Sequence, residues 1–427
     1  MSLLKNKKKG YILLLTMIIV SSIFLLVISV VIKNRLVNAT ANTISLKHEQ
    51  NILLASGISI VKSLLSFDEL NKNNNKLKNE TNKTNTEKNN KKDERLLPFL
   101  FFNFYWKECN KWLKYKFINN KYNLDGKISI YLTIEDGKYP LKKLYAEYDK
   151  EINKENEKNE KKNEEKNNII NKDNNKEKTN LDLDKHLENN IFLEKIKKIF
   201  NDLEEKSNIF KKIISHKKKN AKNESDKNSL IIKMINRYFK KGGKQIPSIL
   251  QDAFNEEFLK IEHIYGNLDA VDSNKKEHGL QDIFSVSNNY CSLWYLAPGL
   301  IEYLNKKPIT LHDEERKKIL DAGKKYFEKI DNNEIKLDDL WNHLYANTFN
   351  IPYQKEFFEI EKTQKIFTSD INLPDCFSAL IKIEIINNIL FGIVLFEKNK
   401  KYVKTNENNN TQNQEYLIKS IYILPFE

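Results

Sequence analysis

The sequence predicts an α+β protein in which a long N-terminal transmembrane helix packs on a small antiparallel sheet, with a helical domain inserted into the sheet domain. Three observations predict this class. An uncharged apolar stretch at 11–32 continues into helical periodicity without a proline. Apolar residues alternate at 128–134 as in a strand, and three apolar segments at the C-terminus look like further strands. Between these strands, residues 185–213 have apolar residues at helical spacing.

The first element is the predicted helix over about residues 10–67. At a rise of about 1.5 Å per residue, the uncharged stretch 11–32 is long enough to cross a hydrocarbon core of about 30 Å. Residues 1–35 carry six basic residues and no acidic one, which favours a cytoplasmic N-terminus. We therefore expect a single-pass protein of the cytoplasmic (inner) membrane, with residues 33–427 outside the cytoplasm. Cleavage as an ordinary signal peptide is disfavoured, because the apolar stretch is too long.

Beyond the membrane, the same helix has a single apolar stripe that must pack on another element. The residues assigned to this stripe are Val37, Ala41 and Ile44, followed by Leu54, Ala55, Ile58, Val61 and Leu65.

The remaining chain alternates between apolar segments and polar segments rich in lysine and asparagine. The polar segments cannot bury enough apolar surface to fold alone, so we expect linkers or insertions there. The predicted divisions are 1–10 (leader), 11–67 (membrane and stalk helix), 68–96 (disordered linker), 97–149 (first part of the sheet domain), 150–184 (polar low-complexity insertion), 185–370 (inserted helical domain) and 371–427 (C-terminal strands of the sheet domain).

The C-terminal part of the chain predicts a three-stranded antiparallel meander at 377–386, 389–397 and 416–424. The earlier strand at 128–134 has turn signals on both sides, Asp125-Gly126 and Asp136-Gly137. Apolar periodicity predicts helices at 229–241, 247–265, 311–330 and 335–347.

The net charge of +14 is concentrated in a few segments, of which residues 211–244 carry twelve basic and two acidic residues. Lysines there, such as Lys217, Lys218 and Lys219, lie near Arg237 and two aromatic residues, a composition that could bind single-stranded nucleic acid. Lysine–asparagine runs elsewhere in the chain indicate a compositional bias and solvation instead. A nucleic-acid partner is therefore the less favoured interpretation.

The sequence contains none of the common catalytic or phosphate-binding motifs, and we predict a non-enzymatic protein. Four oxygen-bearing residues in one loop suit a hard cation such as calcium, although two lysines in the same loop oppose it. The alternative is a polar surface loop. The four residues are Asp269, Asp272, Asn274 and Glu277.

The three cysteines, Cys109, Cys291 and Cys376, are far apart and lack the spacing of a zinc site. Outside the cytoplasm, two of the three could form one disulfide. Three buried thiols are the alternative.

The N-terminus resembles a type IV pilin leader, in which a basic flank and a glycine precede an aromatic residue and a long apolar helix. Lys9-Gly10-Tyr11 is the matching run. The resemblance implies cleavage after Gly10 by a prepilin peptidase and methylation of the new N-terminus at Tyr11. The family usually has phenylalanine at this first mature position and glutamate at the fifth, where this chain has Leu15. An unpaired carboxylate in the membrane is costly, so leucine fits a subunit with no predecessor, at the filament tip.

Three further stretches, in the expected order, resemble the K-type minor pseudopilins of type II secretion (general secretion pathway protein K). They are 130–138, a strand ending in an acidic-glycine turn; 268–272, an acidic loop; and 284–300, a short helix followed by a Pro-Gly turn. The resemblance implies a pilin-like fold with an inserted helical domain, and calcium in the acidic loop. It also implies a structural subunit that initiates or caps a secretion pseudopilus. Other minor pseudopilins and the inner-membrane secretion platform are the implied partners.

Two alternatives remain open at the level of the sequence. One is a signal-anchored envelope binding protein that forms no filament. The other is a membrane-tethered, pilin-like protein that handles DNA during uptake.

Overall fold

The computed structural model describes residues 2–66, 89–119, 124–143, 264–266, 278–305, 311–329, 335–358, 366–385, 388–399 and 416–424. The helices within these ranges are α1 (Ser2–Leu64), α2 (Asn89–Glu108), α3 (Pro298–Asn305), α4 (Asp313–Lys329), α5 (Leu337–Trp341), α6 (Asn347–Phe349) and α7 (Lys355–Phe358). The strands are β1 (Trp112–Asn119), β2 (Leu124–Ile134), β3 (Tyr139–Pro140), β4 (Phe284–Ser285), β5 (Cys291–Ser292), β6 (Phe367–Thr368), β7 (Cys376–Ile385), β8 (Asn388–Lys398) and β9 (Tyr416–Leu424).

Helix α1 is a single element of 63 residues, about 95 Å long at the standard rise. It confirms the predicted long helix and begins eight residues earlier than expected, at Ser2. The chain from Ser2 to Leu64 contains no proline, so nothing interrupts the backbone hydrogen bonds. Helix α2 starts at Asn89, so the end of the predicted disordered linker at 68–96 is helical instead.

The main sheet is antiparallel, with the strand order β1-β2-β7-β8-β9. Its last three strands confirm the predicted C-terminal meander. The turn predicted at Asp125-Gly126 is wrong, because both residues lie inside β2, where Gly126 is paired with Ile385. A methyl group of Leu53 would lie 2.5 Å from a Cβ at position 126, so close approach of α1 accounts for the glycine.

The second half of α1 packs on β2, β7 and part of β8. Leu54, Ile58, Val61 and Leu65 of the predicted stripe are buried, whereas Ala55 is exposed and Leu53 is buried in its place. The first part of the predicted stripe is wrong, because Val37, Ala41 and Ile44 lie before the sheet and are exposed. Gly57 on the helix lies against Ile381 of β7, and Gly392 of β8 lies against Leu54. These glycines let the helix axis approach the sheet closely.

The described part of the predicted helical domain shares one hydrophobic core with α2 and the sheet. Helix α4 packs on α2, with the rings of Phe99 and Phe327 stacked at 4.4 Å. The short parallel pair of β3 with β4 also joins this part to the segment after β2, whereas the second short parallel pair, β5 with β6, lies within this part. The fold is therefore mixed α+β, with one long apolar helix and one five-stranded antiparallel sheet.

Several local predictions within 278–358 can be compared with the structure. The predicted helices at 311–330 and 335–347 are confirmed as α4 and as α5 continuing into a π-helical turn. The expected short helix at 284–287 is wrong, since β4 begins there. The expected Pro-Gly turn is also wrong, because Pro298 begins helix α3, a position that needs no backbone N–H donor. The predicted helix at 229–241 lies outside the described residues, and so does the predicted helix at 247–265 except for residues 264 and 265, which are helical.

Candidate functional site: the α1 surface and a buried acidic turn

The first half of α1 presents apolar side chains to its surroundings. Phe24, Leu25 and Leu26 are each about two-thirds exposed, at 65%, 66% and 66%. The helix is long and apolar enough to cross a membrane, judged by its length and composition. Soluble monomers rarely expose so large a continuous apolar surface, and this part of α1 is compatible with a transmembrane helix.

The residues of the predicted leader lie in the first turns of this helix. Gly10, Tyr11 and Leu15 all belong to α1, on the N-terminal side of the exposed apolar surface. Cleavage after Gly10 and methylation of Tyr11 stay predictions.

A buried polar turn follows β2 at the centre of the fold. Residues Glu135–Gly137 form a single 3-10 turn in which every residue is buried. The next residue, Lys138, is only 1% exposed, and its ammonium group lies 2.5 Å from Oε1 of Glu135. The hydroxyl of Ser378 on β7 donates to the same carboxylate oxygen. A buried ion pair depends on such additional hydrogen bonds, because both charges have lost water.

A side chain from a distant segment holds the backbone of this turn. The amide Nδ2 of Asn288 donates to the carbonyl oxygens of Glu135 and Lys138, at 2.7 and 2.9 Å. Asn288 is itself 2% exposed. The loop after β4 is therefore fixed to the end of β2 by a polar contact within the core.

Gly137 lies where two backbones meet. Its carbonyl accepts a hydrogen bond of 2.8 Å from the N–H of Ala297, and a Cβ at this position would lie 1.6 Å from the carbonyl oxygen of Tyr295. Any side chain at residue 137 would force these two segments apart, so the turn requires glycine.

Asp136 is the buried acid of this turn that has no cation beside it. Its Oδ2 accepts a hydrogen bond from the backbone N–H of Asp375 at 2.5 Å, while Oδ1 has no partner among the described residues. Burial raises the pKa of its carboxyl group to about 8, because desolvation disfavours the charged form more than the hydrogen bond from Asp375 favours it. At neutral pH the carboxyl group is therefore mostly protonated.

A second buried charge, Arg316 of α4, caps the end of α2. Its guanidinium donates to the carbonyl oxygens of Trp106, Cys109 and Asn110, each at 3.0 Å. The last carbonyls of a helix lack partners within the helix, and a cation there also suits the helix dipole. Arg316 therefore joins the helical part to α2 through backbone groups.

The three cysteines are buried free thiols, so the possible disulfide is not present in the structure. They belong to three different places: Cys109 follows the end of α2, Cys291 is on β5 and Cys376 is on β7. Burial raises the pKa of all three thiols, so they stay protonated and unreactive at neutral pH.

The predicted calcium loop lies outside the described residues, as do Lys217, Lys218 and Lys219. The two ends of the loop are described, however, and they touch. A Cβ on Gly279 would lie 2.3 Å from the backbone nitrogen of Gly266, so these two glycines, which flank the predicted loop, lie side by side. Within the part of the chain that the structure describes, no cluster of three acidic, histidine or cysteine residues could hold a metal ion. Calcium binding by Asp269, Asp272, Asn274 and Glu277 stays a prediction.

Sequence reasoning identified the acidic-glycine turn but not the burial of Asp136, Lys138, Asn288 and Arg316. The burial of Arg316 could have been predicted from its position in the apolar stripe of the helix. It lies three residues before Ile319 and seven before Gly323, and these three are the buried residues of α4. A basic residue within the apolar stripe of a helix indicates a buried polar partner.

Comparison of the chain with family models, with curated proteins and with solved structures gives no match.

Proposed function

We propose that the chain is a non-enzymatic structural subunit: a pilin-like minor pseudopilin of the K type that initiates or caps a type II secretion pseudopilus. In this proposal α1 crosses the inner membrane, the N-terminus is cytoplasmic and the folded domain lies outside the cytoplasm. The leader would be removed after Gly10 by a prepilin peptidase. Partners would be smaller minor pseudopilins, which pack along α1, and the inner-membrane secretion platform.

The observation that supports this proposal best is the division of α1 into two halves. The first half exposes apolar side chains such as Phe24 and Leu26, and the second half is buried on an antiparallel sheet. One helix therefore serves both as an apolar anchor and as the spine of the folded domain. A signal sequence that is cleaved off does not need to continue as one helix into the folded domain. A subunit that is drawn out of a membrane by its anchor does need this continuous helix.

The domain around α2 and α4 adds a second argument. Arg316 donates to three backbone carbonyl oxygens at the end of α2, and the buried pair of Glu135 and Lys138 is joined to β7 through the hydroxyl of Ser378. These charged residues are each at most 5% exposed, and within the described residues no cluster of acidic, histidine or cysteine side chains could hold a metal ion. This pattern suits a rigid structural head.

Mass spectrometry of the mature N-terminus tests the proposal. The protein purified from its own membranes should begin at a methylated Tyr11, and a Gly10→Val variant should retain Met1 or Ser2 and the full basic leader. An intact N-terminus in the unaltered protein, or a cut near Ala41, would contradict the filament proposal. An intact N-terminus would favour an anchored envelope protein that forms no filament.

A further inference from the structure

The edge strand β1 carries lysines on the face of the sheet that is turned away from α1. Lys116 is paired with Lys127 of β2, and Lys114 lies two positions earlier on β1, so the three side chains share one face. Gly126 and Ile128, the neighbours of Lys127, approach α1 and therefore lie on the other face. All three lysines are exposed, so they form one lysine surface at this corner of the sheet.

Protection of a sheet edge accounts for only part of the lysine surface. Lysines on an edge strand keep it from pairing with other chains, which suits Lys114 and Lys116. Lys127 lies on the inner strand directly opposite Lys116, where a like charge destabilises the sheet. Within the described residues, none of the three takes part in an ion pair. Glu384, the residue paired with Lys127 on β7, binds the ammonium group of Lys382 at 2.8 Å instead.

The backbone of β1 offers a second kind of contact beside the lysine surface. In the part of the chain that the structure describes, β1 is the last strand on its side of the sheet. Every second residue of an edge strand directs its N–H and C=O groups away from the sheet, so the eight residues of β1 present donors and acceptors in alternation. A peptide backbone matches this alternation. The phosphates of a nucleic acid or a lipid accept hydrogen bonds only, so they leave the outward carbonyl oxygens of β1 without donors.

The two faces of β1 define the side chains that an added strand needs. On the α1 face, Leu113, Tyr115 and Phe117 are half-buried and pack against the core, so apolar side chains beside them would extend the core. On the other face, acidic side chains beside Lys114 and Lys116 would form favourable pairs between neighbouring strands. The edge therefore fits a strand in which acidic and apolar residues alternate.

Two other occupants fit this edge less well. The β1 strand of a second copy would bring its own lysines beside Lys114 and Lys116, and like charges repel there. A membrane surface is too distant, given the proposed position of α1 in the membrane. Leu53, which packs beside Gly126 at this end of the sheet, lies about 20 residues, or about 30 Å of helix, beyond Ile32. Charges are screened over about 8 Å at physiological ionic strength, so lipid headgroups do not attract these lysines.

We propose that the free edge of β1 binds an extended segment of another protein, which adds to the sheet as a further strand. The acidic side chains of this segment alternate with apolar ones and lie beside Lys114 and Lys116, with Lys127 behind them on β2. In this mode of recognition the backbone hydrogen bonds supply affinity and the alternate side chains supply specificity. The proposal goes beyond filament assembly and does not require it.

Peptide binding to the full-length protein in detergent, followed by fluorescence anisotropy, tests the proposal. The probe is a labelled peptide of the length of β1 in which glutamate alternates with valine, and the control peptide has the same residues with all glutamates before the valines. Lys114→Gln/Lys116→Gln is the test variant, and Lys127→Gln is a second one. Lys317→Gln/Lys318→Gln is the control variant, because it removes the same charge as the first from exposed positions on α4.

We expect Lys114→Gln/Lys116→Gln to weaken binding of the alternating peptide by about ten-fold and Lys127→Gln by about three-fold, whereas the control variant changes it by less than about two-fold. The control peptide should bind about ten-fold more weakly than the alternating one, because it cannot place its acidic groups on one face of a strand. Equal binding of the two peptides, equal losses in the two double variants, or no saturable binding would each overturn the proposal. A single-stranded oligonucleotide that loses affinity in the test variant, while the peptide does not, would also overturn it.

Discussion

Replacing Asp136 with asparagine is expected to change the stability of the protein in a way that depends on pH. The carboxyl group is fully buried, its Oδ2 accepts a hydrogen bond from Asp375, and burial raises its pKa from 3.8 to about 8. Asparagine is nearly the same size and keeps an oxygen for the Asp375 N–H, but it cannot ionise. The substitution therefore removes the titration and preserves the shape of the turn.

The sign of the effect follows from proton binding. Between pH 4 and pH 8 the unfolded chain has lost this proton while the folded chain retains it, so the folded state becomes less stable as the pH rises. One pKa unit corresponds to about 1.4 kcal/mol, so at pH 7 the penalty approaches about 4 kcal/mol relative to pH 4. The new amide N–H₂ would lie where Oδ1 has no partner, which costs about 1–3 kcal/mol at every pH. We expect Asp136→Asn to be less stable than the original protein at pH 4 and more stable, by about 1–3 kcal/mol, at pH 7.

Unfolding of the full-length protein in detergent, followed by tryptophan fluorescence, measures this difference. All four tryptophans of the chain, at positions 106, 112, 294 and 341, are buried, so their emission reports unfolding of the core. Asp338→Asn is the control, because Asp338 is exposed and its loss removes the same formal charge. A difference between Asp136→Asn and the original protein that stays constant from pH 4 to pH 8 would refute the assignment of a buried, protonated carboxyl group.

Three other substitutions test the packing by the same unfolding measurement. Gly137→Ala should destabilise the protein by more than about 3 kcal/mol, because its Cβ would lie 1.6 Å from the carbonyl oxygen of Tyr295, and a neutral result would contradict that close approach. Arg316→Lys should cost about 2–4 kcal/mol, since an ammonium group cannot reach three carbonyl oxygens as the guanidinium does; full stability would show that charge alone suffices. Leu53→Ala, on the buried side of α1, should destabilise the protein by about 2–5 kcal/mol. Leu417→Ala, at an exposed position of β9, should change the stability by less than about 0.5 kcal/mol. Equal losses of stability would contradict the packing of α1 on the sheet.

The elements that follow local rules were predictable from the sequence. α1 has an unbroken helical pattern, and β7, β8 and β9 are apolar segments bounded by Asn387-Asn388 and by the polar run 404–415, so periodicity, segment length and turn signals were sufficient. The prediction of a turn at Gly126 failed because of a tertiary contact. The residue looks like a turn glycine in the sequence, but Leu53, more than seventy positions away, is what requires a small residue there.

The buried polar groups could not be predicted for the same reason. Whether Lys138 lies in water or in the core depends on two residues, 150 and 240 positions further along the chain. Asn288 donates to its carbonyl oxygen, and Ser378 donates to the carboxylate of its partner Glu135. The pattern of charges along the sequence describes only neighbouring residues, and it does not predict partners that are distant in the sequence. The acidic-glycine turn was visible as a turn, and its burial became apparent only when the strands were assembled.

The connection between β2 and β7 also sets the order in which the protein can fold during synthesis. Gly126 is paired with Ile385, so the centre of the sheet cannot close until more than 250 further residues have left the ribosome. Contacts this distant in sequence form slowly, because the loop between them must first be closed. Until then the hairpin of β1 and β2 has an open inner edge, and the apolar side of α1 that it shares with β7 is uncovered. The growing chain therefore has an incomplete core until β7 is synthesised, and we expect chaperone binding to be strongest in the interval before β7 emerges.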